Sequence, residues 1–572
     1  MRRKVKILFI LYAAVIFSCS GSEKFHIPDP LPDDRLSISP PEEKEINVVR
    51  GHLDKQVVMP LENLFKFSRI IYRLNGNPKQ AMNINAFDEV PNSSWFTNRN
   101  AFKQMTLQEI ARGPNTGNGP DTKGIWTIKR AKVQGVTPGF HIKDSKGDRY
   151  LIKFDPPGYI ELNSGAEIVS TKLFHAIGYN VPENYVVYFD PDILKIDEDV
   201  EFTDKEGKKR LMKKNDLDEI LKNVNYTSDG GIRATASKYI DSKKIIGPFR
   251  YEGTRDDDPN DIVPHEHRRE LRGLRIIAAW LNHFDTKANN SLDVYVTENQ
   301  RSYIKHYLID FGSTLGSAAE GPMPAYIGFE NMVDPNAIFV NFITLGLKVR
   351  PYEKSYKIKY PSIGHIESKN FSAHDYKFIC PNPAFANMTN RDGFWAAKLI
   401  MSFTDEQLKT AVEQGQYSSP EAAAYLLKIL IERRNIIGRY WFSRMNPLDK
   451  FEIREKGNGK QELYFVDLAV DTGLESKDQS SYKYLMGNNK GVVFQTERTV
   501  ENPPIPLPDL RDLTQDKLNR RNAGDEPWGV KIMTKRNENG NWSKWIKVFM
   551  GIDEKSGKYV LFGIKRQEKY SE

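Results

Sequence analysis

Two stretches of this chain group carboxylates, an amide and a lysine at spacings that could do chemistry. The first reads Asn282-His283-Phe284-Asp285-Thr286-Lys287-Ala288-Asn289-Asn290, so a lysine follows Asp285 by two positions and an asparagine by five. The second reads His306-Tyr307-Leu308-Ile309-Asp310-Phe311-Gly312, with its aspartate twenty residues after Asn290. A carboxylate beside a hydroxyl can take its proton. Aspartate and asparagine oxygens are hard ligands of the kind Mg²⁺ prefers. A lysine can steady an anionic group. Upstream, Lys153 ends the run Tyr150-Leu151-Ile152-Lys153, and Glu167 follows in a helical pattern. Either stretch alone is a weak signal. Their joint spacing is a stronger one.

Those side chains need elements to hold them. WTIKRAKVQ, GFHIKD and RYLIKFD, from residue 126, are short strand-like runs separated by turn signals. Residues 164–177 have helical periodicity and stop at Gly178, a good C-cap. NYVVYF reads as a further strand. Residues 190–264 read as charged and loop-rich, with one helix near 215–223. Residues 266–282 form an amphipathic helix, strands follow at 292–296 and 303–309, and helices dominate from about 392 to 444. After Asn446 the texture changes to strands separated by turns, among them ELYFVDLAVD, GVKIMTKR and KYVLFGIKR.

The order is hairpin, strand ending in lysine, helix with glutamate, strand, long helix, loop, two strands, Asp-Phe-Gly. It resembles the layout of the protein-kinase-like superfamily. The segment Ser164-Gly165-Ala166-Glu167, with Leu173 to Gly178 and Val181-Pro182-Glu183, resembles the matching helix and turn of HipA-type kinases. The resemblance covers about residues 125–445. It implies an α+β class and a two-lobed kinase-like fold, with a β-rich N-lobe at 125–190 and a helical C-lobe with insertions at 191–446. A β-rich accessory domain is expected at 450–572. By the same resemblance Asp285 is the catalytic base, Lys287 steadies the transferring group, and Asn290 and Asp310 hold Mg²⁺ or Mn²⁺. Lys153 would hold the phosphates of ATP or another nucleotide, with Glu167 fixing its direction.

Other readings of these residues stand beside these. Ser164 and Glu167 have capping-box spacing. Lys143 rivals Lys153, and Glu161 is a substitute for Glu167. Gln134-Gly135-Val136-Thr137-Pro138-Gly139 lies where a glycine-rich phosphate loop belongs, and Gly135 and Gly139 would let backbone N–H groups approach phosphate. It equally fits an ordinary hairpin turn. No Gly-x-Gly-x-x-Gly loop and no Ala-Pro-Glu occur, which argues against a common eukaryotic-type Ser/Thr kinase. His265-Glu266-His267 opens a helix and lacks the His-Glu-x-x-His spacing of a zinc site.

Composition bounds the rest. The 572 residues carry 83 Lys+Arg and 75 Asp+Glu, with 39% hydrophobic, 28% charged and 11% aromatic residues. That mix is globular, and a net charge of +8 over such a length gives no case for nucleic acid. Arg2, Arg3, Lys4 and Lys6 precede an apolar run from Ile7 to Phe17, which is too short for a stable span. The following Ile16-Phe17-Ser18-Cys19 resembles the lipobox of bacterial lipoproteins and implies acylation of Cys19. Residues 1–18 are therefore expected to be a signal peptide, 19–50 a tether rich in Pro and acidic residues, and 51–124 an N-terminal extension. Together these imply an exported protein of the cell envelope, lipid-anchored to a membrane. The functions in view are phosphoryl or nucleotidyl transfer to a protein or small-molecule acceptor, a catalytically silent kinase-fold scaffold, and a structural lipoprotein.

Overall fold

The computed structural model describes residues 27–43, 78–132, 139–203, 208–331, 335–345, 347–380, 382–457, 459–488, 493–508, 528–553 and 555–568. Cys19 and Gly135 lie outside the described residues. The chain divides into two compact units. The larger comprises Leu31–Asn83 and Val90–Trp441, and the smaller Ile84–Glu89 and Phe442–Lys569.

Among the described residues the first helix of the larger unit is α1 (Leu107–Arg112), started by a Thr106/Glu109 capping box. A six-stranded sheet follows. It contains β1 (Trp126–Lys132), β2 (Gly139–Lys143), β3 (Arg149–Phe154), β4 (Asn184–Phe189), β5 (Leu194–Ile196) and, after the short hairpin β6 (Glu201–Thr203) and β7 (Lys209–Leu211), β8 (Ile232–Lys238). The spatial order is β4-β8-β3-β2-β1-β5. The β2–β3 turn is built by Asp144, whose carboxylate accepts from the amides of Lys146 (3.0 Å) and Asp148 (2.9 Å). Gly147 takes the positive φ of 92° that this tight reversal needs.

Strand periodicity then assigns faces. Tyr150, Ile152 and Phe154 of β3 are buried in one core with Trp126, Ile128 and Phe140. A period of two turns Lys153 to the other face. Helix α2 (Leu162–Ile177) contacts β3, β4 and β8. Gly178 ends it at a φ of 139°, where an added Cβ would lie 2.3 Å from the Phe96 ring. Helix α3 (Lys214–Leu221) contributes Leu217 and Leu221 to the Tyr150 core.

The sheet extends past residue 190, where the sequence placed its boundary. Strand β8 lies between β4 and β3 and is buried at its first five positions. Its sequence, IRATASK, sets Ile232, Ala234 and Ala236 on the core face, but two of these are only alanines and Arg233 and Thr235 on the other face are interior as well, so the strand carries a weak apolar signal. The Arg233 guanidinium donates to the carbonyls of Gly415 (2.5 Å) and Gln416 (2.7 Å), which makes its burial tolerable.

Beyond the sheet run β9 (Lys244–Gly247), α4 (Arg269–Trp280), β10 (Ser291–Glu298) and β11 (Arg301–Leu308). Asn299 and Gln300, both at positive φ, make the two-residue β10–β11 turn. A minimal hairpin, β12 (Ser317–Ala318) with β13 (Gly321–Pro322), follows. The helices α5 (Pro335–Ile343), α6 (Asn390–Met401), α7 (Asp405–Glu413) and α8 (Pro420–Arg444) complete the succession. Arg269 and Arg272 of α4 are fully buried and meet Asp392 of α6 at 3.0 and 3.3 Å. The chain is thus α+β.

The smaller unit is antiparallel. Strands β14 (Leu448–Lys456), β15 (Lys460–Asp467) and β18 (Ile505–Pro506) form one sheet. Strands β16 (Ser480–Asn488), β17 (Val493–Val500), β19 (Trp528–Arg536), β20 (Ile546–Ile552) and β21 (Tyr559–Arg566) form the other. Their shared core includes Leu463, Phe465, Tyr484, Val530 and Val548. Residues 84–89, read from sequence as part of the N-terminal extension, belong to this unit. The Ala86 carbonyl accepts from the Ile564 amide at 2.8 Å, and Asp88 faces Arg566 at 3.7 Å.

Candidate active site

Lys153 stands at the centre of the site. From β3 its Nζ lies 2.5 Å from Glu167 Oε2 and 3.1 Å from Asp310 Oδ1. Its side chain is 13% exposed. Burial pulls the ammonium pKa down, but the Asp310 and Glu167 carboxylates outweigh that and hold it above the ordinary lysine value. Lys143, the rival lysine, is exposed at the far end of β2, paired in register with Arg149.

Glu167 is buried on α2 and does more than meet Lys153. Its Oε1 accepts from the Phe311 amide at 3.0 Å and from Asn184 Nδ2 at 3.2 Å. The capping-box alternative is overturned, because Glu161 occupies the N-cap and both Ser164 and Glu167 lie within the helix. The first turn is satisfied by Asp155 instead, which accepts from the amides of Glu161 (2.8 Å) and Ser164 (2.7 Å). Burial raises the Asp155 pKa against the opposing effect of these bonds and of Arg233. Glu161 accepts from the Ser418 amide and is no stand-in for Glu167.

Asp285 and Asn290 form a second cluster after α4. Asn290 Nδ2 donates to the Asp285 carbonyl (2.7 Å) and to its Oδ2 (3.0 Å). Lys287 Nζ donates to that same Oδ2 at 2.8 Å. The carboxylate is thus oriented from two sides while its side chain stays 24% exposed. The two clusters are joined through backbone. The Ile309 amide donates to the Asn290 carbonyl at 3.0 Å, setting Asn290 beside the residue that precedes Asp310. Asp310 adopts a φ of 65°, with its side chain half exposed. Phe311, fully buried, stacks on Phe174 of α2 (centroids 4.8 Å) and meets His283 edge-on (5.8 Å). Burial keeps the His283 pKa low, although the Asp285 and Asp310 carboxylates pull it upward.

Lys153, Glu167, Asp285, Lys287, Asn290 and Asp310 therefore belong to one connected region. Gly139 joins them as the cross-strand neighbour of Lys153 on β2. Asp155, Asn184, His283 and Phe174 were not singled out from the sequence as parts of this site. Only Asp155, two residues after the strand lysine and just before Pro156-Pro157-Gly158, carries a local signal of a turn.

The donor set suits a hard cation. Asp310 and Asn290 offer oxygens, while among the described residues no group of three His, Cys, Asp or Glu gathers in one place. Asp310 and Asn290 are oxygen donors of the kind Mg²⁺ takes, commonly one or two carboxylates with phosphate and water completing its shell. The His265-Glu266-His267 stretch binds protein groups. His265 Nε2 meets Asp261 at 2.7 Å and His267 Nδ1 accepts from Arg272 at 2.5 Å.

No protein-family model and no curated protein sequence matches this chain. Among solved structures it is similar to a proinflammatory kinase of Helicobacter pylori, CtkA, at 11% identity, over 57% of this chain and 98% of that one, with a TM-score of 0.29. It is also similar to a Golgi casein kinase at 10% identity, over 73% of this chain and 96% of that one, with a TM-score of 0.27.

Proposed function

We propose that this chain is a lipid-anchored envelope protein whose larger unit is a two-lobed kinase-like domain transferring a phosphoryl group from a nucleotide, with Mg²⁺ or Mn²⁺, to a protein or small-molecule acceptor. The observation that carries the reading is Lys153 held between Glu167 and Asp310, with Asp285 and Asn290 locked together on the adjoining loop. Lys153 is aimed and charged, so it binds nucleotide phosphates. Asp285, held by Lys287 and Asn290, takes the acceptor hydroxyl's proton as the oxygen attacks. Asp310 and Asn290 would hold the cation, which when bound neutralises charge on the phosphate oxygens. Transfer of this kind asks for positioning and charge neutralisation more than for covalent chemistry. A catalytically silent scaffold would be expected to lack one of these groups, and all are present.

The test is a thermal-shift screen of nucleotides with Mg²⁺ or Mn²⁺, run beside Asp310→Ala. The wild type should be stabilised by a nucleotide only when metal is present, and the variant should lose that dependence. No metal-dependent shift with any nucleotide would end the reading. Label placed on the γ- or the α-phosphate then separates phosphoryl from nucleotidyl transfer.

A further inference from the structure

The segment running on from Asp310-Phe311-Gly312 carries an apolar surface turned to solvent. On α5, Phe342 is 78% and Phe339 63% exposed, and just beyond it Leu345 is 85% and Leu347 82% exposed. Ile338 and Ile343 are exposed as well. At 100° per residue, positions 338, 339, 342 and 343 form one stripe about 140° wide. A surface helix ordinarily turns such a stripe to the core, whereas here it faces solvent. Contiguous exposed apolar surface of this kind marks an interaction site.

The neighbouring residues indicate what covers it. Lys348, Lys354 and Lys357 follow and are exposed, interleaved with Tyr356 and Ile358, while Lys359 beyond them lies over the Tyr360 and Tyr425 rings (5.3 and 4.7 Å), and the single acid among residues 348–359 is Glu353. Arg350 is engaged by Glu330 and is not counted among the open charges. Apolar side chains flanked by lysines are the composition of segments that lie in a bilayer interface, with the apolar groups at the acyl boundary and the ammoniums among anionic headgroups. A nine-residue helix is about 14 Å long, half of what a span requires, and no described helix is long and apolar enough to cross a membrane. The segment must therefore lie along the surface. The leader and Cys19 read from the sequence point the same way. The tether read at 19–50 is shorter than expected, because residues 33–42 are held on the larger unit, with the Ser94 amide donating to Asp34 and the Ile38 amide to the Ser302 carbonyl, both at 2.9 Å. A tether from Cys19 to about residue 30 keeps that unit within roughly 20 Å of the bilayer, where a second weak contact gains from a high effective concentration.

We propose that α5 and the lysine-rich stretch to Lys357 form a docking surface for an anionic lipid bilayer, acting together with the acyl anchor. This surface is independent of the nucleotide chemistry proposed above. The resemblance at Cys19 implies two or three acyl chains, which anchor firmly by themselves, so the basic apolar patch would fix how the larger unit lies against the bilayer rather than supply the anchoring.

The test uses the processed chain from Ser20 onward, which carries neither leader nor lipid, in flotation with phosphatidylcholine vesicles with and without phosphatidylglycerol. The chain should float with the phosphatidylglycerol vesicles. Phe342→Glu with Leu345→Glu should lower the bound fraction about tenfold. Lys354→Glu with Lys357→Glu should lower it several-fold on the anionic vesicles alone, an effect reproduced by high salt. All four positions are exposed, so melting temperatures should be unchanged, and that measurement separates lost docking from lost folding. Failure to float with either vesicle, or flotation that the Phe342/Leu345 variant leaves intact, overturns the proposal. So does a dimer in sedimentation that Phe342→Glu converts to monomer, because the cover would then be a second copy of this chain.

Discussion

Substituting Glu167→Gln tests the site at its most constrained point. The glutamate uses one oxygen for Lys153 and the other for the Phe311 amide and Asn184. Glutamine keeps the shape but has one oxygen. If that oxygen serves Phe311 and Asn184, its NH₂ faces the Lys153 ammonium. If it turns to Lys153, the NH₂ faces two donors. Breaking a buried ion pair by removing one partner costs about 3–5 kcal/mol. Lys153 retains Asp310 at 3.1 Å and some solvent, which places the loss near the lower end, about 3 kcal/mol. Lys153→Met leaves Glu167 two donors and should cost about 2 kcal/mol. In the double variant the glutamine no longer faces a cation. The two effects should therefore fall short of additivity by about 2 kcal/mol. Calorimetry of the single and double variants measures this coupling, and hydrogen exchange of the peptide containing Phe311 reports its amide directly, since Glu167→Gln should speed that exchange. Costs that add within about 0.5 kcal/mol, with exchange at Phe311 unchanged, would refute the reasoning.

Asp285→Asn keeps the bond from Asn290 but cannot accept a proton, so turnover should fall about 10²–10⁴-fold with nucleotide affinity nearly unchanged, as read by rate and binding measurements on one preparation. His267 accepts from Arg272, and burial first, then the Arg272 and Lys79 cations, push its pKa from 6.5 down to about 4. A depressed folded-state pKa gives stability that is full above pH 6.5 and lost as the pH falls toward 4. The loss is about 3 kcal/mol at the low end, and a series of melting temperatures should show a shallower acid decline for His267→Gln.

The parts of this site legible in the sequence are those whose spacing is local. Asp285, Lys287 and Asn290 fall within six residues, and Lys153 lies next to the end of a strand whose run of strand-favouring residues is bounded by turn signals. The helix read at 164–177 is observed at Leu162–Ile177, because its periodicity and Gly178 are local signals too. Strand β8 was hidden because its interior residues are small or polar and are satisfied by distant groups, Arg233 by Gly415 and Gln416. Residues 84–89 were misplaced for a similar reason: what attaches them is pairing to Ile564 and Arg566, nearly five hundred positions away. The Ser164/Glu167 spacing misled in the opposite direction. It matches a capping box, but the cap is supplied from outside the helix by Asp155.

That outside cap explains how two remote residues meet reliably. Asp155 lies two positions after Lys153, just beyond the end of β3, and pins Ser164, three positions before Glu167 on α2. The Lys153–Glu167 contact is therefore fixed by one buried corner with short rigid arms on either side. Seven residues after Glu167, two helical turns along the same face, comes Phe174. Glu167 takes the Phe311 amide and Phe174 stacks on the Phe311 ring, so a single helix face grips one residue by backbone and side chain at once. Asp310 is the preceding residue, and its position beside Lys153 follows from that double grip. A displacement of α2 along its axis would break the amide bond, the ring stack and the lysine pair together. Site assembly is in this way tied to the placement of one helix rather than to separate adjustments of its side chains.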